Sequence, residues 1–139
     1  MLYICDTVRK GKTRVAKYRT LRWKDQWNLG EPVVWLDVAK ADQAWERDKG
    51  FYIPSGASDD RHRYEKFGRW LLQANRVVWM PTAILYRGRL DFVDGRHRFA
   101  WLRDHGAEAI PITTEPSGAK RLSERLGTTA RITRVVRSL

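Results

Sequence analysis

The sequence feature that most constrains the fold is the stretch 90–106, in which a short apolar run meets Asp94 and Gly95 and is followed by a polar amphipathic segment. Glycine permits a sharp turn that other residues resist. The segment after the turn has few β-branched side chains, and Gly106 stands where a helix C-terminus favours glycine. We therefore predict a strand, a turn at Asp94-Gly95, and a helix from about Arg96 to His105.

A β-hairpin is the alternative for the same residues, because Asp-Gly between alternating residues is a strong signal for a type I′ turn. That alternative would place two strands over residues 89–99. Ala100, Leu102 and the arginines after the turn favour the helix instead.

The start of this helix is a candidate anion site. Free N–H groups and the positive end of the helix dipole attract anions, and Arg96 and Arg98 add cationic donors. We therefore predict that Gly95, Arg96 and Arg98 bind phosphate. His97 is the side chain here that exchanges a proton near pH 7. Asp94 is the best candidate for a Mg²⁺ ligand, because magnesium needs few carboxylates when substrate phosphates are present.

These assignments have structural alternatives. Asp94 suits a simple helix N-cap equally well, and His97 suits a hydrogen-bonded structural histidine. Asp91, Asp104 and Glu65 are further candidates for metal binding or acid–base chemistry. Asp91 is expected on the opposite face of its strand from Asp94.

The rest of the chain mixes strand and helix signals, which predicts an α+β fold in one compact domain, residues 1–139, with a small mixed sheet and flanking helices. Predicted strands cover 32–38, 83–86, 90–93 and 109–113, and further predicted helices cover 39–48, about 60–74 and 120–126. The first of these strands is expected to bury residues 33–36, and Arg87-Gly88 is the expected turn between the second and third. Asp59 or Asp60 is the expected N-cap of the helix that runs to about Ala74, and its predicted apolar stripe consists of Tyr64, Phe67, Leu71 and Ala74. Residues 51–58 are predicted to be an extended piece and a loop. The stretch 132–136 is left open between a strand and a loose basic tail.

The net charge of +11 is concentrated at the two ends of the chain. Residues 1–30 carry +6 and residues 117–139 carry +5, whereas residues 31–116 are neutral overall and contain the motif core, 32–114. This distribution is a common footprint of nucleic-acid binding, although a solubilising surface or an acidic protein partner would also explain it. The predicted nucleic-acid contacts are basic side chains of the two ends, namely Arg14, Lys17, Arg19, Arg22, Lys120, Arg121, Arg131 and Arg134.

Basic and aromatic residues interleave in the N-terminal segment, as in Arg22, Trp23, Lys24 and Trp27. The pattern suits a surface that contacts phosphates and stacks bases. It equally suits an edge strand whose basic side chains cover the core with their apolar stems. Both interpretations stay open.

Cys5 is the single cysteine, which excludes an intramolecular disulfide and a thiolate metal cage. No apolar run approaches the roughly 20 residues that span a bilayer, and the first residues are too short for a signal peptide's apolar region. We therefore expect a cytoplasmic protein with no membrane role.

The segment Gly95-Arg-His-Arg-Phe-Ala, with Gly106 and Ile110-Pro111 beyond it, resembles the signature of the ParB/sulfiredoxin superfamily. That family has a glycine, two variable residues and an arginine that opens a helix, followed by another glycine and a short strand with proline. The resemblance covers about residues 32–114 and implies a ParB/sulfiredoxin-like fold.

Within that superfamily, three segments are similar to plasmid fertility inhibition factors: Phe51-Tyr-Ile, Arg63-Tyr-Glu-Lys-Phe and the unbroken stretch 94–106. These plasmid-encoded proteins block conjugative transfer of another plasmid or of T-DNA. The resemblance implies binding of DNA or of a nucleotide, and it makes phosphodiester cleavage or NTP hydrolysis candidate activities. The candidate catalytic residues are then His97, Asp94 and Arg98, and the candidate cofactors are Mg²⁺ and ATP or CTP.

Two other functions remain open. The first is a non-enzymatic inhibitor that occupies DNA or masks a conjugation coupling protein or the relaxosome. The second is a toxin or effector nuclease with the same fold. Departures from the superfamily argue against two more. Arg96 stands where sulfiredoxins have their catalytic cysteine, so sulfinic acid reduction is not expected, and the short stretch after Pro116 makes centromere recognition by a partition-type DNA-binding domain an unfavoured expectation.

Overall fold

The computed structural model describes residues 6–9, 12–15, 17–25, 30–56 and 61–138, which form an α+β arrangement of short helices and strands, as predicted. The helices are α1 (Val38–Trp45), α2 (Arg61–Leu71), α3 (Arg96–Asp104) and α4 (Ala119–Leu126), with a 3₁₀ turn at Pro116–Gly118. The strands are β1 (Asp6–Arg9), β2 (Lys12–Val15), β3 (Lys17–Thr20), β4 (Arg22–Lys24), β5 (Val33–Asp37), β6 (Val77–Trp79), β7 (Thr82–Tyr86), β8 (Arg89–Asp94), β9 (Ala109–Thr113) and β10 (Arg134–Ser138).

The central sheet has four strands in the order β5-β9-β7-β8. The outer pairs are antiparallel, whereas β7 and β9 meet in parallel at Thr82 and Thr113. The hydroxyl oxygens of these two buried threonines lie 2.7 Å apart, so their polar groups are satisfied inside the sheet. This is the small mixed sheet that the sequence predicts.

Strand β5 and helix α1 differ slightly from the bounds predicted for them, 32–38 and 39–48. The Asp37 carboxylate accepts a hydrogen bond from the Lys40 N–H at 3.1 Å, and this cap starts α1 at Val38, which the sequence pattern places in the strand. The helix ends at Trp45 and not at Asp48. Val33 was expected to be buried but is 44% exposed, because β5 is an edge strand that buries alternate side chains.

The hairpin of β7 and β8 forms at the predicted turn. Arg87 and Gly88 both have positive φ, at 50° and 80°, which is the backbone of a type I′ turn. The hairpin delivers β8, and with it Asp94, to the start of α3.

Helices α2 and α3 pack closely because α2 has a glycine at their contact. A Cβ atom built on Gly68 would lie 2.7 Å from Cε2 of the Trp101 indole, so a larger residue here would overlap with the indole unless one of the two helices shifts. The predicted stripe on α2 is confirmed by burial of Tyr64 and Leu71, while Phe67 is half-buried and Ala74 lies exposed beyond the helix end. Its expected caps, Asp59 and Asp60, fall outside the described residues.

Helix α3 ends at the predicted glycine. The Ala107 N–H donates to the Leu102 carbonyl at 3.0 Å, the Gly106 N–H donates to the Arg103 carbonyl at 3.4 Å, and Gly106 has φ +90°. These features define a Schellman C-cap. The β-hairpin alternative for residues 89–99 is therefore wrong.

The two basic ends of the chain are tied into small sheets. Strand β10 pairs with β3 in antiparallel fashion, and Val135 on β10 is fully buried. The last stretch is thus a strand and not a loose tail. Strand β4 pairs with β6 in parallel, so the N-terminal segment packs beside the middle of the chain.

One cluster of buried apolar side chains extends from Leu21 to Val135. At its centre the Trp45 ring makes edge-to-face contacts with Phe92 and Phe99, with ring centroids 5.0 and 5.6 Å apart. Among the described residues, no helix has the length and apolar character needed to cross a membrane.

Candidate functional site

Gly95 is the N-cap of α3 and fixes the angle at which the helix leaves β8. Its backbone is left-handed, with φ +89° and ψ +17°, and it supplies no side-chain hydrogen bond to the helix. A Cβ atom here would lie 2.8 Å from both Cβ of Pro81 and Nη2 of Arg98. The turn therefore requires glycine, both for its φ angle and for the close approach of its neighbours.

A pocket of about 410 Å³ opens at this helix start, between α3 and the exposed side of α2. It contains all five motif residues that the sequence pattern indicates. Its lining consists of Arg63, Lys66, Phe67, Trp70, Phe92, Val93, Asp94, Gly95, Arg96, His97 and Arg98. We call it the motif pocket.

The lining of the motif pocket is strongly cationic. Among the described lining residues, four side chains, Arg63, Lys66, Arg96 and Arg98, carry positive charge against the carboxylate of Asp94. Because a capping side chain is absent at Gly95, a phosphate oxygen can take the position that a cap fills in other helices. The pocket therefore has the charge and the helix geometry of an anion site.

Asp94 and Arg98 form an ion pair within the pocket. Nη2 of Arg98 donates to the Asp94 carboxylate at 2.9 Å, across one turn of α3. The alternative assignment of Asp94 as the N-cap is wrong, since Gly95 takes that position. An anion that enters the pocket competes with Asp94 for the Arg98 guanidinium.

The residues present do not fit Mg²⁺ at Asp94. Its carboxylate already accepts from Arg98, and a guanidinium at 2.9 Å repels a divalent cation. The described part of the chain has no group of three His, Cys, Asp or Glu side chains placed to hold a metal. We therefore derive no chemical step through a metal ion.

Arg96 and His97 occupy the first turn of α3, and both line the motif pocket. His97 is 9% exposed and lines the pocket. The Arg96 guanidinium lies 4.9 Å from the centre of the exposed Phe51 ring, a cation–π contact that holds it at the pocket edge.

Asp91 and Glu65 lie outside the lining of the motif pocket. Asp91 accepts two hydrogen bonds from Arg89 at 2.7 and 3.0 Å on the same strand. Glu65 is half-buried on α2. Neither contributes to the motif pocket, so the structure favours neither as a partner of Asp94.

Asp104 belongs to a structural network that joins the helices. It accepts from the Tyr64 hydroxyl at 2.7 Å, from the Gly56 N–H at 3.2 Å and from Nε of Arg103 at 2.9 Å. Burial acts to raise the pKa of Asp104, but these hydrogen bonds outweigh it and leave the pKa below its ordinary value. Nη1 of Arg103 also donates to Asp42 on α1 at 2.9 Å.

The predicted nucleic-acid contacts at the two ends have different surroundings. Arg22, Lys120 and Arg121 are exposed. Arg19 donates from its guanidinium to the Leu71 carbonyl and so caps α2. The side chains of Arg14 and Lys17 lie outside the described residues.

Arg131 and Arg134 line a second cavity of about 610 Å³ beside the start of α1. Its charged lining is balanced, with Arg103, Arg131 and Arg134 against Asp37, Asp42 and Glu108. Although this cavity is larger than the motif pocket, its described lining has neither the motif residues nor an excess of positive charge. The motif pocket is the better candidate for binding a polyanion.

Sequence reasoning misses the contribution of α2 to the motif pocket. The local pattern favours a solvated face for Arg63 and the core for Phe67, and it gives no role to Lys66 or Trp70. Residues 63, 66, 67 and 70 recur at helical spacing, so they share a face. That periodicity is the available signal, but it does not reveal which element the face meets.

The fold and the site together define a small α+β protein with a cationic pocket at a glycine-capped helix start. Comparison with known families matches residues 33–127 to the family described as Plasmid Fertility inhibition factor. The match covers more than half of the chain, and the chain belongs to this family. Neither the curated proteins nor the solved structures gave a match.

Proposed function

We propose that this plasmid fertility inhibition factor acts by binding DNA, with a backbone phosphate held in the motif pocket by Arg96, Arg98 and the start of α3. The observation that carries the proposal is the described lining of that pocket, where four cationic side chains and the Asp94 carboxylate surround a helix N-terminus that no side chain of Gly95 caps. Arginine forks and helix N–H groups are the donors that phosphate prefers. Bound protein would then block the DNA to the transfer machinery by occupancy.

The test is DNA binding by the purified protein, measured by fluorescence anisotropy with labelled DNA over a range of salt concentrations. We expect Arg98→Ala and Arg96→Ala each to weaken binding to DNA of any sequence. Each should also reduce the salt slope, which is the slope of log affinity against log salt concentration, by the amount that corresponds to about one phosphate contact. Arg125→Ala is the matched control, since it removes the same charge from an exposed position on α4. Equal losses in all three variants would overturn the pocket assignment.

Asp94→Asn separates the two roles considered for this carboxylate. Because Asp94 competes with phosphate for Arg98, its neutralisation is expected to strengthen DNA binding. If Asp94 instead holds a cation that binding needs, the same variant loses binding, and the loss depends on added Mg²⁺.

Cleavage of the bound phosphodiester is a second candidate function, because His97 lines the same pocket as the phosphate-binding arginines. A water molecule would attack phosphorus and give its proton to the His97 imidazole, while the bond from phosphorus to the leaving oxygen breaks. The imidazolium would then pass that proton to the leaving oxygen, and Arg98 would offset charge on the phosphate. The test is incubation with plasmid and linear DNA, with and without Mg²⁺ and ATP. If the wild-type protein cuts DNA, and His97→Ala binds DNA but does not cut it, the result supports cleavage. If the wild-type protein does not cut DNA, DNA binding remains as the proposed function.

A nucleotide is the other phosphate ligand to test, because about 410 Å³ lies within the usual range for small-ligand pockets. ATP and CTP are therefore added as competitors in the anisotropy experiment. If neither DNA nor nucleotide binds, the proposal fails, and masking of a conjugation coupling protein becomes the explanation to pursue.

A further inference from the structure

Strands β4 and β6 present an outer face that the proposed function does not use. In this parallel pair, Arg22 lies opposite Val77 and Lys24 lies opposite Trp79; we call these four residues the strand face. Arg22, Lys24 and Trp79 are exposed, and Nζ of Lys24 lies 4.8 Å from the centre of the Trp79 ring. The six residues of these two strands include no carboxylate, so the face is purely cationic and apolar.

The opposite side of the two strands anchors them to the core. Nε1 of Trp23 donates to the buried Thr133 hydroxyl at 3.1 Å, and Val78 is fully buried. The Met80 N–H donates to the Lys24 carbonyl at 2.9 Å and extends the pairing by one residue. The outer residues are therefore held in place by a fixed backbone, and Trp79 stays 43% exposed.

Both ends of β6 lead to the motif pocket. Just before the strand, the Arg76 guanidinium lies 5.5 Å from the centre of the Trp70 ring, which lines the pocket. Just after it, Pro81 packs against Gly95, where an added Cβ atom would be 2.8 Å from the Pro81 Cβ. The chain just before and just after β6 thus contacts residues that line the pocket, and Arg76 adds a positive charge next to the strand.

We infer that the motif pocket and the strand face form one binding track for single-stranded nucleic acid. The inference rests on the proposed function, in that one backbone phosphate lies in the pocket. The neighbouring phosphates then meet Arg22, Lys24 and Arg76, and an unpaired base stacks on the exposed indole of Trp79. A basic surface with accessible aromatic rings is the pattern by which proteins bind single strands.

Duplex DNA and a free nucleotide fit this track less well. In a duplex the bases are stacked on one another, so their faces cannot reach Trp79. A free nucleotide fills the motif pocket and has no further phosphates for the strand face. The track therefore predicts that the protein prefers single strands and that this preference depends on Trp79. Phosphate binding in the motif pocket alone would predict no such preference.

The test is anisotropy binding of labelled oligo-dT, oligo-rU and duplex DNA, each of about 16 units, to the full chain and its variants. We expect Trp79→Ala to weaken single-strand binding about tenfold and to leave duplex and ATP binding unchanged. Trp79→Phe retains a ring and should recover most of the affinity. Lys24→Ala should make the affinity for single strands less dependent on salt concentration, because one phosphate contact is lost.

Tyr86→Ala is the matched control, because Tyr86 is also an exposed ring flanked by two arginines, Arg87 and Arg89. The inference is overturned if Trp79→Ala and Tyr86→Ala behave alike, or if Trp79→Ala weakens duplex and single-strand binding equally. Failure of the proposed function would give a different result, because Arg98→Ala would then change the binding of neither single strands nor duplex DNA. The comparison of dT with rU decides whether the strand bound is DNA or RNA.

Discussion

At the scale of single residues, Gly95 determines the geometry of the motif pocket. Its left-handed backbone turns the chain from β8 into α3, and its missing side chain lets Pro81 and Arg98 approach. Arg98 can then reach Asp94 at 2.9 Å from inside the pocket. A single glycine thereby positions the ion pair that an incoming phosphate would open.

We predict that Gly95→Ala lowers the free energy of unfolding by about 3 kcal/mol and weakens DNA binding. The left-handed backbone is unfavourable for alanine, and the new methyl group overlaps with Pro81 and Arg98. Chemical denaturation measures the first effect and anisotropy the second.

Gly30→Ala is the matched control for this change. Gly30 also has a positive φ, +70°, but no atom of the described residues lies within 4 Å of the position that its Cβ would take. Gly30→Ala should lower the free energy of unfolding by about 1 kcal/mol, because only the left-handed backbone is unfavourable, and it should leave DNA binding intact. Equal destabilisation of the two variants would show that the contacts at Gly95 are unimportant.

At the scale of elements, the approach of α2 to α3 builds the second wall of the pocket. Gly68 brings α2 against the Trp101 indole, and this contact places Phe67 and Trp70 beside the start of α3. The Phe67 ring packs edge-to-face on Trp101 with centroids 5.7 Å apart. The pocket therefore depends on a helix contact as much as on its own residues.

We predict that Gly68→Ala destabilises the protein by about 1–2 kcal/mol, even though alanine favours helices. Overlap with the buried indole costs roughly 1–3 kcal/mol, which the gain in helix propensity only partly offsets. The measurement is the shift in the denaturation midpoint. Adding Trp101→Leu should relieve the overlap, and the double-mutant cycle would then show coupling.

Gly50→Ala provides the control for the helix glycine. Among the described residues, the nearest atom to a Cβ added at Gly50 is 4.0 Å away, so Gly50→Ala should change the free energy of unfolding by no more than about 0.5 kcal/mol. If Gly68→Ala were as mild as this control, the close α2–α3 contact would not hold in solution.

At the scale of the whole molecule, a buried polar network and a pair of small sheets connect distant segments. Arg103 and Asp104 link α3 to α1, to α2 and to the loop at Ile53 and Gly56. Strand β10 closes on β3, so the two basic ends meet in one sheet. The positive charge at the ends is therefore carried partly by an ordered surface.

We predict that Asp104→Asn lowers the free energy of unfolding by roughly 3 kcal/mol at pH 7, because it breaks a buried ion pair with Arg103. The pKa of Asp104 is depressed in the folded protein, so its contribution is fully present above the unfolded value of about 3.9. The contribution is lost as pH falls through the folded pKa. The difference between wild type and variant should therefore shrink below about pH 4.

Denaturation at several pH values makes this measurement, with Glu124→Gln as the control for removal of an exposed carboxylate on α4. The control should change stability by no more than about 0.5 kcal/mol. A difference for Asp104→Asn that stays constant down to pH 2, on the order of two units below the unfolded pKa, would contradict the depressed pKa.

The sequence by itself determined those features that follow from local chemistry. The turns at Gly88, Gly95 and Gly106 were predictable because a left-handed backbone strongly favours glycine, whatever surrounds it. The strand–turn–helix motif, the hairpin, the α+β class and the family resemblance all follow from such signals. Each depends on residues that are neighbours in the chain. The superfamily assignment and the site roles stay predictions.

Only the tertiary structure decided which faces meet. Amphipathic periodicity marked the face of α2 but did not show that Arg63 and Trp70 complete the pocket at α3. The parallel pairing of β4 with β6 joins segments far apart in the sequence. In this pair Trp23 faces the core, whereas Arg22 and Lys24 face outward. Such pairings depend on packing energy summed over many contacts, which no local pattern encodes.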